Sequence, residues 1–182
     1  CLVGEPTNPN RLGEMIKIGR RGSLTGKLTI LGVQGHVAYP QKAVNPSTAL
    51  IKILDVLKNF RFDKGTKNFQ PSNLEVTKIN IDNTADNVIP KSAEATFNIR
   101  YSDKHSSSSL KKILNKIIKQ ICKKNKSKFK IEYRVSGEAF LTKPNKTTFM
   151  IQNIIKKLTK VKPKLSTTGG TSDARFIKSI SP

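Results

Sequence analysis

Four short clusters in this chain carry side chains that could do chemistry. The first, Val3-Gly4-Glu5-Pro6, puts a carboxylate directly after an apolar strand end. A carboxylate oxygen in such a place can ligate Zn²⁺ at about 2.0–2.2 Å; on a turn facing water it would ligate nothing. The second, Gly35-His36-Val37-Ala38-Tyr39-Pro40, sets a histidine beside glycine in a loop, where it can reach a ligand or simply cap and pack. The third is Asn87-Val88-Ile89-Pro90 together with Arg100. An amide and a guanidinium facing one way suit carboxylate recognition; the plain alternative is a turn asparagine and a surface arginine. The fourth is Thr168-Gly169-Gly170-Thr171-Ser172-Asp173-Ala174-Arg175. Its glycines let backbone N–H groups approach an anion, and the segment after them can open a helix. It lacks the lysine and spacing of GxxxxGK[ST], which excludes a nucleotide-phosphate loop. His105 sits among Asp103, Lys104 and serines in a polar turn and is assigned no role.

These clusters hang between elements that the patterning predicts. Residues 27–33 form a strand, and Asn45-Pro46 then caps a helix carrying Leu50, Ile53, Leu54 and Leu57 as far as about Phe60. A loop over 61–73 leads to a strand over 74–81 and a turn at 82–87. Residues 92–101 alternate, with Ala93, Ala95, Phe97, Ile99 and Tyr101 on one face and Glu94, Thr96, Asn98 and Arg100 on the other. Leu110, Ile113, Leu114, Ile117, Ile118 and Ile121 then follow helical spacing after a run of serines. Phe129, Ile131, Tyr133 and Val135 alternate as a last strand. From 23 to 135 the order is β-α-β-β-α-β, the ferredoxin-like split βαβ unit: an antiparallel sheet with two helices on one face. The flanks hold a β-prone run at Glu14 to Gly19, a helix through Met150, Ile151, Ile154, Ile155 and Leu158, and the glycine-rich turn. They read as two parts of a second domain that the unit interrupts. Cys1 at one end and Ile180-Ser181-Pro182 at the other read as cuts through a longer chain.

Composition narrows the function classes. The net charge of +22 invites a polyanion, nucleic acid first. The lysines, however, are scattered along helix backs and loops (Lys111, Lys112, Lys116, Lys119, Lys123 and Lys124 among them), aromatics are only 6%, and tryptophan is absent. A ferredoxin-like RNA-binding module would show aromatics for base stacking on its central strands; the polar face of 92–100 shows none. The expectation is no nucleic acid and no membrane, since no apolar run approaches the roughly 20 residues of a span. Two cysteines, Cys1 and Cys122, have no framework spacing, which suits a reduced, cytoplasmic protein.

Taken in order, CLVGEP at 1–6, IKIGRRGSLTGKLTILGVQGHVAYP at 16–40, NVIP at 87–90, FNIRY at 97–101, SGEAFLT at 136–142 and TGGTSDARF at 168–176 resemble the di-zinc aminoacylase and carboxypeptidase family of metallopeptidases. The likeness runs along nearly the whole chain. Sister deacylases share GHVAYP and TSDARF in part; the longer run from GRRGS to GVQGHVAYP points more narrowly to a deacylase of a succinylated diamino dicarboxylic acid. An acetylornithine-type deacetylase or a broad aminoacylase is the alternative.

The resemblance implies an α/β fold in which residues 22–135 are a ferredoxin-like lid and dimerisation domain. That lid is inserted into a catalytic domain of which 1–21 and 136–182 are pieces. It implies a homodimer and a pair of Zn²⁺ ions per subunit, with Co²⁺ as an alternative metal. It also assigns roles. Glu5 is a zinc ligand, and His36 is a lid residue that crosses the dimer to stabilise the oxyanion in the partner's site. Arg20, Asn87, Arg100, Ser136, Gly170 and Thr171 hold the substrate's carboxylates and backbone. Asp86 departs from the pattern, standing where relatives often have a second asparagine. The family's other zinc ligands would lie before Cys1 and after Pro182. One carboxylate does not make the three-ligand site of a catalytic zinc, so the 182 residues alone are expected neither to hold zinc stoichiometrically nor to hydrolyse an amide.

Overall fold

The computed structural model describes residues 2–4, 8, 10–170, 172–177 and 180. Its centre is a pair of ten-residue strands, β3 (Gly22–Leu31) and β7 (Ser92–Tyr101), antiparallel in register from Gly22↔Tyr101 to Leu31↔Ser92. The short strands β1 (Met15–Lys17) and β2 (Gly19–Arg20) precede them in the chain, and β4 (Gly35–His36) follows β3. β5 (Asn73–Asn80) pairs with the free edge of β7, and β8 (Lys128–Gly137) with that of β3, so the four-stranded sheet runs β5-β7-β3-β8. The short strand β6 (Val88–Ile89) lies between β5 and β7 and pairs with β4.

The helix α1 (Pro46–Asn59) joins β3 to β5, and α2 (Ser107–Lys124) joins β7 to β8. Each starts where local chemistry starts it. Asn45 Oδ1 accepts from the Ser47 backbone N–H at 2.9 Å, with Pro46 pre-set for the first helical position. Ser106 and Ser109 form a reciprocal capping box. Both helices press one apolar stripe onto one face of the sheet. Leu50, Ile53 and Leu57 of α1 and Leu110, Leu114 and Ile118 of α2 share a core with Leu24, Leu28, Ile30, Phe97, Ile99 and Tyr101. Gly26 is required there: a Cβ on it would sit 2.4 Å from Phe97 Cζ, so only a bare backbone lets that ring cross beneath β3.

The alternation expected over 92–101 is present, and the helix expected through Leu110 to Ile121 spans Ser107–Lys124. The strand expected over 27–33 instead spans 22–31, and the last strand continues to Gly137. Residues 22–25 have little apolar pattern of their own, but β7 on one side and β8 on the other satisfy their backbone groups and extend the strand.

The flanks meet each other. β1 runs parallel to β10 (Lys164–Ser166), and β2 pairs with β9 (Phe140–Leu141). α3 (Lys146–Thr159) has the expected periodicity but buries no residue; Phe149, Met150, Ile154 and Leu158 are exposed, and several of them line a shallow groove of about 480 Å³. A four-residue helix, α4 (Ala174–Ile177), ends the described chain but for Ile180.

The connection between α1 and β5 is tied down by one carboxylate. Asp63 Oδ1 accepts from the backbone N–H of Gly65 at 2.6 Å and of Ser72 at 3.2 Å. Its Oδ2 accepts from Ser72 Oγ and, at 3.1 Å, from Ser102 Oγ, with His105 Nε2 at 3.6 Å. His105 Nε2 also lies 3.0 Å from the Phe62 carbonyl, which makes that histidine structural. Gly65 turns with φ +77, and a Cβ there would meet Phe69 O at 2.7 Å. The loop then reaches the second flank, where Thr167 Oγ1 donates to the Asn68 carbonyl.

Candidate substrate site

The residues singled out in the sequence fall into two groups at opposite ends of the sheet. At one end, β4 and β6 pair His36 with Val88, and Val37 N donates to the Asn87 carbonyl at 3.0 Å. Asn83 Nδ2 closes the preceding turn by donating to the Ala85 and Val88 carbonyls, both at 2.9 Å. His36 and Asn87 are both exposed. The Ala38 backbone N–H donates to His36 Nδ1 at 3.1 Å. In the neutral ring this places the proton on Nε2, leaving that N–H as an outward-facing donor. Tyr39 packs near the imidazole, ring centroids 6.1 Å apart, and Lys42 Nζ lies 5.4 Å from the Tyr39 centroid.

The other end is a corner rich in cations. Arg20, only 4% exposed, donates from Nη1 to the Thr168 carbonyl at 3.2 Å. Arg100 lies on the polar face of β7 opposite Ser23. Arg21 Nη1 donates to Asn73 Oδ1 at 2.8 Å and to the Pro71 carbonyl at 3.3 Å. Arg175 Nη1 donates to the Ser136 carbonyl at 2.8 Å, and its Nε to the Ser172 carbonyl at 3.3 Å. Burial first, then the charge of Arg100, lowers the basicity of both Arg21 and Arg175. Arg175 Nη2 and Arg21 Nε are buried donors without a hydrogen-bond partner among the described residues. Ser136 and Gly170 are exposed beside this corner, and a Cβ on Gly170 would touch nothing within 4 Å. Crowded cations with unspent donors, next to open backbone, form a place for an anionic group.

Asn87 and Arg100, grouped from sequence as an amide and a guanidinium facing one way, are not brought together within the chain. Asn87 lies beyond the start of β7 and Arg100 near its end. The eight steps along β7 from Ser92 to Arg100, at about 3.3 Å each, put roughly 26 Å between the two ends. The cause is strand direction: the pairing of β4 with β6 extends the sheet away from the arginines. Glu5 and Thr171 lie outside the described residues. Arg21, Lys17, Thr168 and Arg175 belong to this corner although no role was assigned to them from sequence; their only signal was position within IKIGRRGS and TGGTSDARF. Among the described residues no group of three His, Cys, Asp or Glu side chains gathers to hold a metal. None of their helices is long and apolar enough to cross a membrane.

Residues 18–126 match the family model of the peptidase dimerisation domain, and the chain belongs to that family. Along all of its 182 residues it is 76% identical to a succinyl-diaminopimelate desuccinylase of Pelagibacter ubique and 50% identical to one of Parvibaculum lavamentivorans. It covers 47% and 46% of those proteins, so the chain spans about half the length of the curated relatives it matches. In fold it resembles a tripeptidase of Staphylococcus aureus (TM-score 0.76, 16% identity, 92% of this chain and 43% of that one). It also resembles an aminopeptidase of Bacillus cereus (TM-score 0.72, 16% identity, 92% and 44%).

Proposed function

We propose that the chain is the central part of a zinc-dependent amide hydrolase that cleaves N-succinyl-LL-2,6-diaminopimelate to succinate and LL-2,6-diaminopimelate in the cytoplasm. The observation that carries this reading is the 76% identity along all 182 residues with a relative of that name. Residues 22–135 are its ferredoxin-like lid and dimerisation domain; residues 1–21 and 136–182 are pieces of the catalytic domain. The separate core of the four-stranded sheet supports that division, as does the pairing of β1 with β10 and β2 with β9. The exposed apolar face of α3 is the surface the rest of the catalytic domain covers.

The active unit is a homodimer. His36 and Asn87, roughly 26 Å of strand away from Arg100, serve the partner's site, while Arg20, Arg100, Ser136, Gly170 and Thr171 serve the chain's own. Dimer contact through the β5 edge accounts for two exposed isoleucines, Ile79 on β5 and Ile51 on α1. The opposite edge, β8, carries Lys128, Lys130 and Arg134, which discourage pairing.

Zn²⁺, when bound in the longer protein, supplies a polarised water. Glu5 is the ligand offered by this chain, and one carboxylate does not form the site alone. The chain's own residues do the rest. Guanidinium groups of Arg20 and Arg100 hold the carboxylates of the substrate. The Nε2–H of His36 donates to the oxygen that becomes negative when water adds to the amide carbon, a contribution of about 2.7–4 kcal/mol for one such donor. Closing the lid excludes bulk water.

The test is succinate release from N-succinyl-LL-2,6-diaminopimelate by a chain extended at both ends to the length of its relatives, with N-acetylornithine beside it. Preference for the succinyl substrate is expected. Activity on acetylornithine alone would keep the family and overturn the substrate.

A further inference from the structure

Residues 81–87 connect β5 to β6 and carry Asn87; all of them are exposed except Ala85, which is half-buried. His36, close by, is better founded. Its strand pairs with β6, and Gly35 stands opposite Ile89, which is buried. The connection has no such footing in the core. Backbone bonds reach it at two points: the Asn83 N–H donates to the Ile81 carbonyl at 3.0 Å, and the Val37 N–H to the Asn87 carbonyl at 3.0 Å. Its middle is closed by one side chain. Asn83 Nδ2 donates one hydrogen to the Ala85 carbonyl and the other to the Val88 carbonyl, both at 2.9 Å. Both partners only accept, so the amide nitrogen and not its oxygen must face them. A carboxylate of the same shape would set oxygens against oxygens. The amide thus clasps the turn on both sides of Asp86 and Asn87.

We propose that Asn83 is a positioning residue for the substrate, ordering the turn so that Asn87 is already presented to the partner's site when substrate arrives. This rests on the reading of His36 and Asn87 as groups that serve the partner's site. An exposed turn without its clasp samples many conformations, and apparent affinity falls with the fraction that is competent to bind. Once substrate is seated, the chemical step depends on His36, whose strand is held by its pairing with β6. Losing the clasp therefore acts on KM and spares kcat.

The experiment uses the chain extended at both ends to the length of its relatives, loaded with Zn²⁺ and assayed by succinate release. Asn83→Ala should raise KM for N-succinyl-LL-2,6-diaminopimelate about five- to tenfold, the worth of two exposed amide bonds. The change in kcat should stay within about twofold. Asn83→Asp should do at least as much, and Asn83→Gln, which keeps the NH₂ donor, less. Thermal melts matching the parent check that the variants fold. Mixed dimers of an Asn83→Ala subunit with an Arg20→Ala subunit read the direction of the effect. The one complete site there belongs to the Asn83→Ala subunit and is served by its partner's intact turn, so the parental KM should return. An unchanged KM in Asn83→Ala and Asn83→Asp, a loss confined to kcat, or a mixed dimer that keeps the raised KM overturns the inference and leaves the hydrolase reading standing. A variant that melts well below the parent makes Asn83 a structural residue and overturns it too. A parent inactive on the succinyl substrate overturns the hydrolase reading and the inference with it.

Discussion

Replacing Asp63 with alanine tests how the loop between α1 and β5 is held. The carboxylate accepts four hydrogen bonds, from Gly65 N, Ser72 N, Ser72 Oγ and Ser102 Oγ, and its side chain is only 9% exposed. Ser102 is fully buried and Ser72 nearly so, so their donors cannot turn to water when the carboxylate goes. A buried donor left unpaired costs about 1–3 kcal/mol. Three stranded donors (Ser72 N–H, Ser72 Oγ–H and Ser102 Oγ–H), each taken at the lower end of that range, with the backbone N–H of Gly65 re-solvated, bring the expected loss to about 3 kcal/mol. For a chain of this size that is roughly 6–12 °C in Tm. Asp63→Asn keeps one acceptor oxygen and should lose about half as much.

The loss also has a pH signature. Burial pushes the Asp63 carboxyl up, but the hydrogen bonds from Ser72, Gly65 and Ser102 outweigh it and hold it below its ordinary value. A carboxylate more acidic in the folded state stabilises above its unfolded pKa of about 3.9 and loses that contribution as pH falls through the folded value. The gap between parent and Asp63→Asn should therefore be full at neutral pH and narrow below about pH 4. Urea melts followed by circular dichroism at both pH values give the comparison. A loss under about 1 kcal/mol for Asp63→Ala, or a gap independent of pH, would refute the bracing role.

Further outcomes follow from the same geometry. Phe97→Ala, at a fully buried position over Gly26, should cost about 3–5 kcal/mol in the same melts, because neighbouring backbone cannot collapse into the space. His36→Ala in the extended, metal-loaded protein should lower kcat by about 10²–10³ with a smaller change in KM, since its donor acts on charge present only in the transition state. Stability should not move, as the ring is exposed. Ile79→Lys should shift the protein from dimer to monomer in sedimentation while leaving its circular dichroism unchanged, because it adds charge to the proposed docking edge without touching the core.

Much of the fold was legible in the chain itself. The unbroken alternation of β7, the apolar stripe of α2 and the caps at Asn45 and Ser106 are local signals, and periodicity plus capping suffices to start, stop and orient such elements. Periodicity does not say what an element packs against. α3 has a stripe much like those of α1 and α2, yet it buries nothing among the described residues. The start of β3 at Gly22 was equally silent, because its partners, not its own residues, make it a strand.

The candidate site divides the same way. Residue types named the chemistry: histidine, arginines and glycines in short, distinctive runs. Which of them meet was decided by tertiary structure. Asn87 and Arg100 lie 13 positions apart in the chain, yet the straight run of β7 carries them to opposite ends of the sheet. Lys17 and Thr168 lie 151 positions apart and touch, because β1 and β10 run side by side. Sequence determines the groups and their protonation chemistry; long-range strand pairing, which no local pattern encodes, determines the distances between them.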